Sequence, residues 1–297
     1  IGCAPSGEHT ALALVQRLAD GKPAVRWTAH EAWGDPGPAL RQLRRSRQLN
    51  RHRCVALLQR HQYQCITMDA PADVPRADWA AAVRWRLKDT VDYPVDTAAV
   101  DVLAVPEGTS YRAQAQLIAV AAAETQVRPL IEQAADAGTP WQAIDITETA
   151  LRNLSALVEP AGRAQALLHC QASHATLVVT YGGELLSARQ MELALALPDD
   201  ADDALRTQAY DHAGLELQRT LDGIERAFGQ VTLARLLITP MAGVQQLCEH
   251  LAPLLYVPVA PLVLDEVLDL SAVPELLADP ALLNRQLCAI GAALRED

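Results

Sequence analysis

The sequence predicts an α/β protein built as two lobes. Three observations carry that prediction. Runs of strand pattern alternate with runs of helix pattern along all 297 residues, which marks an α/β chain. A strand–turn–strand–turn–strand unit occurs twice, about 165 residues apart, a spacing too long for a solenoid and suited to a duplicated fold with one copy per lobe. Half of the residues are hydrophobic, yet only 4% are aromatic and one is Phe, so the core is made of Leu, Val, Ile and Ala.

The more legible copy of the unit is residues 167–189. A strand, a small polar turn, an apolar strand, Tyr181-Gly182-Gly183-Glu184 and a third strand follow in series, and the paired glycines read as a tight hairpin turn. The other copy opens the chain. Residues 1–4 form a strand, 5–9 a turn, 10–18 a second strand, and Asp20-Gly21-Lys22-Pro23 turns into a third at 24–28.

Residues 36–49 read as a helix, 53–58 as a buried strand, and 63–68 as its partner. A helix over 75–88 places Trp79, Val83 and Leu87 on one face and stops before Pro94. Residues 98–105 and 113–121 alternate as a hairpin around Pro106-Glu107-Gly108-Thr109. Helix 124–137 ends at Gly138. A strand at 141–146 and a helix from 147, capped by Thr147, come next. The block 70–146 therefore reads as a small α/β subdomain inserted in a first lobe of residues 1–159.

The second lobe, 160–297, continues with a long amphipathic helix over 202–229, broken near Gly214. A strand at 233–238, a helix at 243–255 and a strand at 257–262 follow. Asp279-Pro280 then opens the last helix, 281–294, expected to pack back on the first lobe.

A net charge of −11 argues against general binding to nucleic acid or to an anionic membrane, since a phosphate surface repels it. Locally, Arg41, Arg44, Arg45, Arg47, Arg51, Arg53 and His52 form a basic run, either a solvated helix face or a docking patch for lipid headgroups or an acidic partner. Six scattered cysteines without a CxxC pair read as buried reduced thiols, with disulfides left open. No apolar run is long enough to span a membrane, and no signal-peptide pattern is present. The chain opens at Ile1 without Met, so native residues upstream of it are an open question.

With these landmarks in order, the sequence resembles the PilM family of actin-like type IV pilus assembly proteins, and within it the MSHA pilus biogenesis branch of MshI. The residues that carry the resemblance are the Trp79 helix followed by Val91-Asp92-Tyr93-Pro94-Val95, the Leu117-Ile118-Ala119-Val120-Ala121-Ala122 strand, and Ala137-Gly138 with Trp141. Leu215-Glu216-Leu217-Gln218-Arg219-Thr220-Leu221-Asp222 and the closing Ala289-Ile290-Gly291-Ala292-Ala293-Leu294-Arg295 complete the set. The resemblance implies a two-lobed actin-like ATPase fold, with duplicated ribonuclease-H-like domains and a small α/β subdomain inserted in the first lobe.

It also implies where a nucleotide site belongs. In the first phosphate loop the family's Asp falls on Ala4, its Gly on Ser6 and a following Lys on Ala11. In the second loop its Asp falls on His169 and its Gly on Gln171. The paired glycines of the adenosine motif fall on Thr239 and Pro240. Ala4 offers magnesium no ligand and His169 a poor one, since the ion takes hard oxygen donors. Gln171 places a side chain where backbone approaches phosphate, and Pro240 puts a ring where adenine would lie. The site is expected to be degenerate and catalysis absent, with ATP and magnesium as the alternative cofactors.

Other chemistry is weaker. His169, His174 and Cys170 are a lone cluster for a metal, and Cys170 beside His169 is a poor nucleophile pair because strand neighbours point apart. Asp199, Asp200, Asp202 and Asp203 read as a solvated loop and helix start. No Walker, dinucleotide or zinc-protease motif is present.

The functional expectation is a non-catalytic scaffold at the cytoplasmic face of the inner membrane, in an MSHA or type IV pilus machine. The resemblance implies a partner, the cytoplasmic tail of a single-pass inner-membrane assembly protein. That tail lies between the first lobe and the inserted subdomain, with walls from the inserted block and residues 54–68. The alternatives are a nucleotide-binding switch or weak ATPase, and the cytoplasmic domain of a type II secretion assembly protein.

Overall fold

In the computed structural model, which describes residues 1–32, 36–112, 114–195, 197 and 202–296, the repeated unit forms an antiparallel meander at the start of each lobe. The first lobe runs β1 Gly2–Ser6, β2 His9–Arg17, β3 Pro23–Ala32, α1 Pro36–Arg47, β4 Val55–Leu57, β5 Tyr63–Asp69, α2 Trp79–Arg84, β6 Ala99–Ala104, β7 Gln116–Ala122, α3 Glu124–Asp136, β8 Ala143–Asp145 and α4 Thr147–Val158. The second runs β9 Ala164–Cys170, β10 Ala175–Tyr181, β11 Glu184–Met191, α5 Asp203–Ala227, β12 Leu233–Ile238, α6 Val244–Leu251, β13 Val259–Pro261, α7 Glu275–Ala278 and α8 Pro280–Ala293.

The sheets have one topology. The first is ordered β3-β2-β1-β4-β8 and the second β11-β10-β9-β12-β13. In both, the meander is antiparallel, one strand joins its first strand in parallel, and a short last strand joins that one in parallel. Local sequence explains the meanders. Gly182 and Gly183 have φ of 63° and 77°, the left-handed pair that a two-residue hairpin with right-twisting strands requires. Caps explain two helix starts. Asp202 accepts Leu205 N–H at 2.6 Å, and Asp279 accepts the N–H groups of Ala281 and Leu282 ahead of the Pro280 first turn.

Four expectations are corrected. Tyr63–Asp69 does not pair with β4; it is the outer strand of a separate three-stranded sheet, β5-β7-β6. Ala143–Asp145, placed in the inserted block, pairs in parallel with β4 in the main sheet. Strands this short carry no period, so burial and not pattern decides their partner. α5 is continuous through Gly214, where an added Cβ would lie 2.6 Å from Leu254 Cδ1, so this glycine admits a packed neighbour and does not break the helix. Ile146, not Thr147, is the N-cap of α4. Its N–H is taken by Asp145 Oδ1 at 3.0 Å, and the same carboxylate holds the Thr149 hydroxyl. Ala113, Asp199 and Asp200 lie outside the described residues.

The inserted sheet has two faces. Val100, Val102, Leu117 and Ala119 pack with Trp79, Val83 and Leu87 of the α2 segment. The other face, with Ala99, Asp101 and Val120, turns toward the main body.

The closing helices are exchanged between lobes. α4 leaves β8 of the first sheet and packs on β9, β10 and β11 of the second. α8 packs on β1, β2 and β4 of the first sheet and crosses α4. One apolar core therefore runs from Val55 and Leu57, through Leu151, Leu154, Leu287 and Ile290, to Leu167 and Val178. Two glycines make the contact close. A Cβ on Gly291 would lie 2.2 Å from Ala150 O, and one on Gly2 would lie 2.0 Å from Ala289 O. Asn153 Nδ2 donates to Gly291 O at 2.9 Å across the crossing.

These separations are far inside van der Waals contact with backbone that has no rotamer to yield. Gly291→Ala is expected to cost about 3 kcal/mol by overpacking. Gly223→Ala, mid-helix in α5 with open space at its Cβ, is expected to add about 1 kcal/mol through helix propensity. Urea unfolding of both variants checks the pair.

Candidate functional site

Two concave sites flank the crossing. The first is an interlobe cleft of about 630 Å³. It is walled by the β1–β2 turn, the β9–β10 turn, the segment after β12 and the N-terminal half of α8.

Most of the positions predicted from sequence meet here. Ala4, Ser6, Ala11, His169 and Gln171 all line the cleft. Ala4 and Ala11 face each other across β1 and β2, so two methyl groups stand where the resemblance places an acid and a lysine. Thr239 and Pro240 are buried and lie outside the lining, which is taken up by Met241 and Ala242. The Pro240 ring is therefore not in the cleft, contrary to expectation.

Thr239 instead has a structural task. Its Oγ1 accepts Cys170 N–H at 3.2 Å and lies 3.4 Å from His169 Nδ1. His169 Nε2 lies 3.6 Å from Cys288 Sγ on α8. Both ring nitrogens of this buried imidazole thus face protein groups. Burial, helped by the nearby His174, lowers its pKa to about 4 from the ordinary 6.5, against an opposing hydrogen bond with Asn284. It is a neutral packing histidine at pH 7.

Among the described residues no Asp or Glu lines the cleft. Its polar lining is Ser, Thr, Gln and Asn together with Arg60, Arg285, His30, His61 and His174. Magnesium requires hard oxygen ligands, normally with a carboxylate among them, so this donor set does not fit the ion. Nor does any group of three His, Cys, Asp or Glu among the described residues suit another metal. Cys170 is a free thiol, as are the other five cysteines. Burial pushes Cys170 and Cys288 up to about 12, which keeps both as unreactive thiols.

Asn284 and Arg285 come from the far end of the sequence and were not legible as cleft residues. Asn284 Nδ2 donates to Cys170 O at 2.7 Å and pins α8 to β9. A polar pair on an otherwise apolar helix (Leu282, Leu283, Leu287) was the available signal.

The second site is a groove of about 810 Å³ between the inserted sheet and the main body. Its floor is the sheet face carrying Ala99, Leu103, Val120 and Ala122, with the exposed Asp101 carboxylate among them. Its opposite wall is α4, with Thr149, Arg152, Asn153 and Ala156, closed by Gly183, Glu184 and residues 294–296. β6 is the outer strand of its sheet, so one of its backbone edges has no neighbouring strand, and on that edge Asp101 Oδ1 accepts the Val102 N–H at 2.8 Å. Of the expected walls at 54–68, only Leu58 takes part.

Charge pairs rim this mainly apolar floor. Arg295 Nη1 lies 2.6 Å from the largely buried Asp145 Oδ2, and Arg152 Nη1 lies 3.1 Å from Glu184 Oε2. Arg17 pairs with Glu296. The Asp145 carboxylate is fully engaged, by Arg295, Thr149 and the Ile146 N–H, and so holds the end of α8 against the start of α4.

The neutral buried His169 has a measurable consequence. An unfolded chain takes up a proton there between pH 6.5 and about 4 that the folded chain refuses, so its contribution is complete above 6.5 and is lost as pH falls toward 4. His169→Gln is expected to shrink the stability difference between pH 7 and pH 5 by about 2 kcal/mol. Denaturant midpoints at the two pH values read it, and an unchanged difference would mean that the imidazole is solvated.

No family model matches the chain, and no curated protein matches it. Solved structures do. A structure of the PilM-PilN type IV pilus biogenesis complex is 20% identical over 99% of this chain and 97% of its own, with a TM-score of 0.70. The cytoplasmic domain of EpsL, an inner-membrane component of the type II secretion system of Vibrio cholerae, is 11% identical over 99% and 94%, at 0.53. A Bacteroides thetaiotaomicron protein of unknown function is 9% identical over 90% and 91%, at 0.51. Likeness at these identities establishes architecture and leaves activity aside. The chain has the two-lobed actin-like ATPase fold.

Proposed function

We propose that the chain is a non-catalytic actin-like scaffold of a type IV pilus machine, of the MSHA kind, working at the cytoplasmic face of the inner membrane. Its partner is the cytoplasmic tail of a single-pass inner-membrane assembly protein. No helix among the described residues is long and apolar enough to cross a membrane.

The observation that carries this reading is the groove. A mainly apolar floor, the edge strand β6 and a polar rim are what an extended peptide uses, with backbone pairing for affinity and alternate side chains for specificity. The fold likeness to the PilM-PilN complex and to EpsL supports the same assignment. The cleft supports the non-catalytic half, since phosphoryl transfer relies on metal-neutralised charge and the described residues of the lining supply no carboxylate.

Two experiments test it. The tail peptide of the inner-membrane partner encoded beside this chain is expected to co-purify with it. Ala99→Trp, which fills the groove from an exposed position of β6, is expected to weaken that binding by about tenfold, or roughly 1.4 kcal/mol. Equal binding by the variant would place the tail elsewhere.

The second is a melting scan with millimolar Mg-ATP. The expected shift is nil, because a ligand must bind the native state to stabilise it. A rise of several degrees would revive the nucleotide-switch reading.

A further inference from the structure

The basic run noted in the sequence is absorbed by neither the cleft nor the groove. Between residues 36 and 68 there are seven arginines and no Asp or Glu, in a chain of net charge −11. Some of this has a structural cause. Arg44, Arg45 and Arg47 sit in the last turn of α1, where cations suit the helix dipole. The Arg44 guanidinium lies against Gly138 at the end of α3, and Arg47 covers the Trp27 ring at 4.8 Å. Arg60 donates to Tyr63 O at 3.1 Å.

Arg53 is partly buried and its carbonyl accepts the Ile1 amino group at 2.6 Å, which leaves Arg41, Arg45 and Arg51. All three are exposed, and none has an acidic partner among the described residues. Arg41 and Arg45 are one turn apart on the face of α1 opposite its buried Leu40 and Leu43, around a shallow hollow with Pro38, Gln42 and Ser46. Arg51 extends the charge into the 3-10 turn Leu49–Arg51 that follows. The hollow is shallow and open, lined by Pro38 with Arg41, Gln42, Arg45 and Ser46, so among the described residues no Leu, Ile, Val or aromatic side chain forms a deep seat there for a docked peptide.

We infer that this arginine face of α1 and the adjoining turn docks on the phosphates of an anionic lipid bilayer. Guanidinium groups pair with phosphate oxygens through two parallel N–H bonds, and a headgroup plane needs no pocket to receive it. The acidic remainder of the chain is repelled by the same plane, so the molecule approaches by this face. This inference does not depend on the groove.

The test is sedimentation of the purified chain with vesicles, either phosphatidylcholine alone or with about a third phosphatidylglycerol, at roughly 50 and 500 mM NaCl to set the screening. The chain is expected to pellet only with the anionic vesicles and only at the lower salt. Replacing Arg41, Arg45 and Arg51 together with Gln is expected to weaken binding about 100-fold, each arginine contributing about fivefold. Its melting temperature should be unchanged, since these side chains make no ion pair that would be lost. Absence of pelleting at low salt, or a triple variant that pellets like the parent, overturns the inference. Capture by a soluble poly-glutamate peptide with no vesicle binding also overturns it, in favour of an acidic protein surface. The vesicles carry no partner tail, so failure here leaves the groove reading standing.

Discussion

The crossing of α4 and α8 at Gly291 is the contact on which the rest of this molecule depends. Backbone meets backbone there, with Ala150 O where a Gly291 side chain would stand, and the approach lets each closing helix lie on the other lobe's sheet. Dispersion and hydrophobic burial then run through a single core. The same two helices furnish both concave sites. α8 carries Asn284, Arg285 and Cys288 to the cleft, while the segment just after it carries Arg295 and Glu296 to the groove. α4 gives Thr147 to the cleft and Arg152 and Asn153 to the groove. A change in the crossing would move both sites together.

The cleft lies where the resemblance places a nucleotide, and the side chains that line it supply a different chemistry. The two hairpin turns face each other across it. What fills the acidic positions is packing. Ala4 and Ala11 are buried methyls, and His169 is a neutral ring held between Thr239 and Cys288. A buried imidazole satisfied from two sides stabilises the contact between β9 and α8 and has no free lone pair to offer a cation. The cleft has gained cohesion between lobes where the resemblance had suggested a ligand.

The groove and the arginine face lie on the first lobe and its inserted sheet. One is mainly apolar with an edge strand, suited to a polypeptide. The other is a basic helix face with only a shallow hollow in it, suited to a charged plane. A scaffold that takes up a membrane protein's tail and also touches headgroups would hold that tail at a short, defined height above the bilayer, and the two weak contacts would reinforce each other.

What the sequence by itself determined is whatever rests on local chemistry. The two meanders, the Gly182-Gly183 turn, the helix starts near Asp202 and at Asp279-Pro280 and the Trp79-Val83-Leu87 face were all legible, because each depends on a few adjacent residues and on a period or a turn. Tertiary structure alone decided which sheet residues 63–69 and 143–145 join, since strands of three to seven residues buried among aliphatics have no pattern that names a partner. It also decided that α5 passes Gly214 unbroken, that Pro240 stays out of the cleft, and that Asn284 and Arg285 enter it. Each of those outcomes is set by contacts between segments far apart in the chain. Such contacts depend on which backbone can come close to which, and here Gly2 and Gly291 allow that approach.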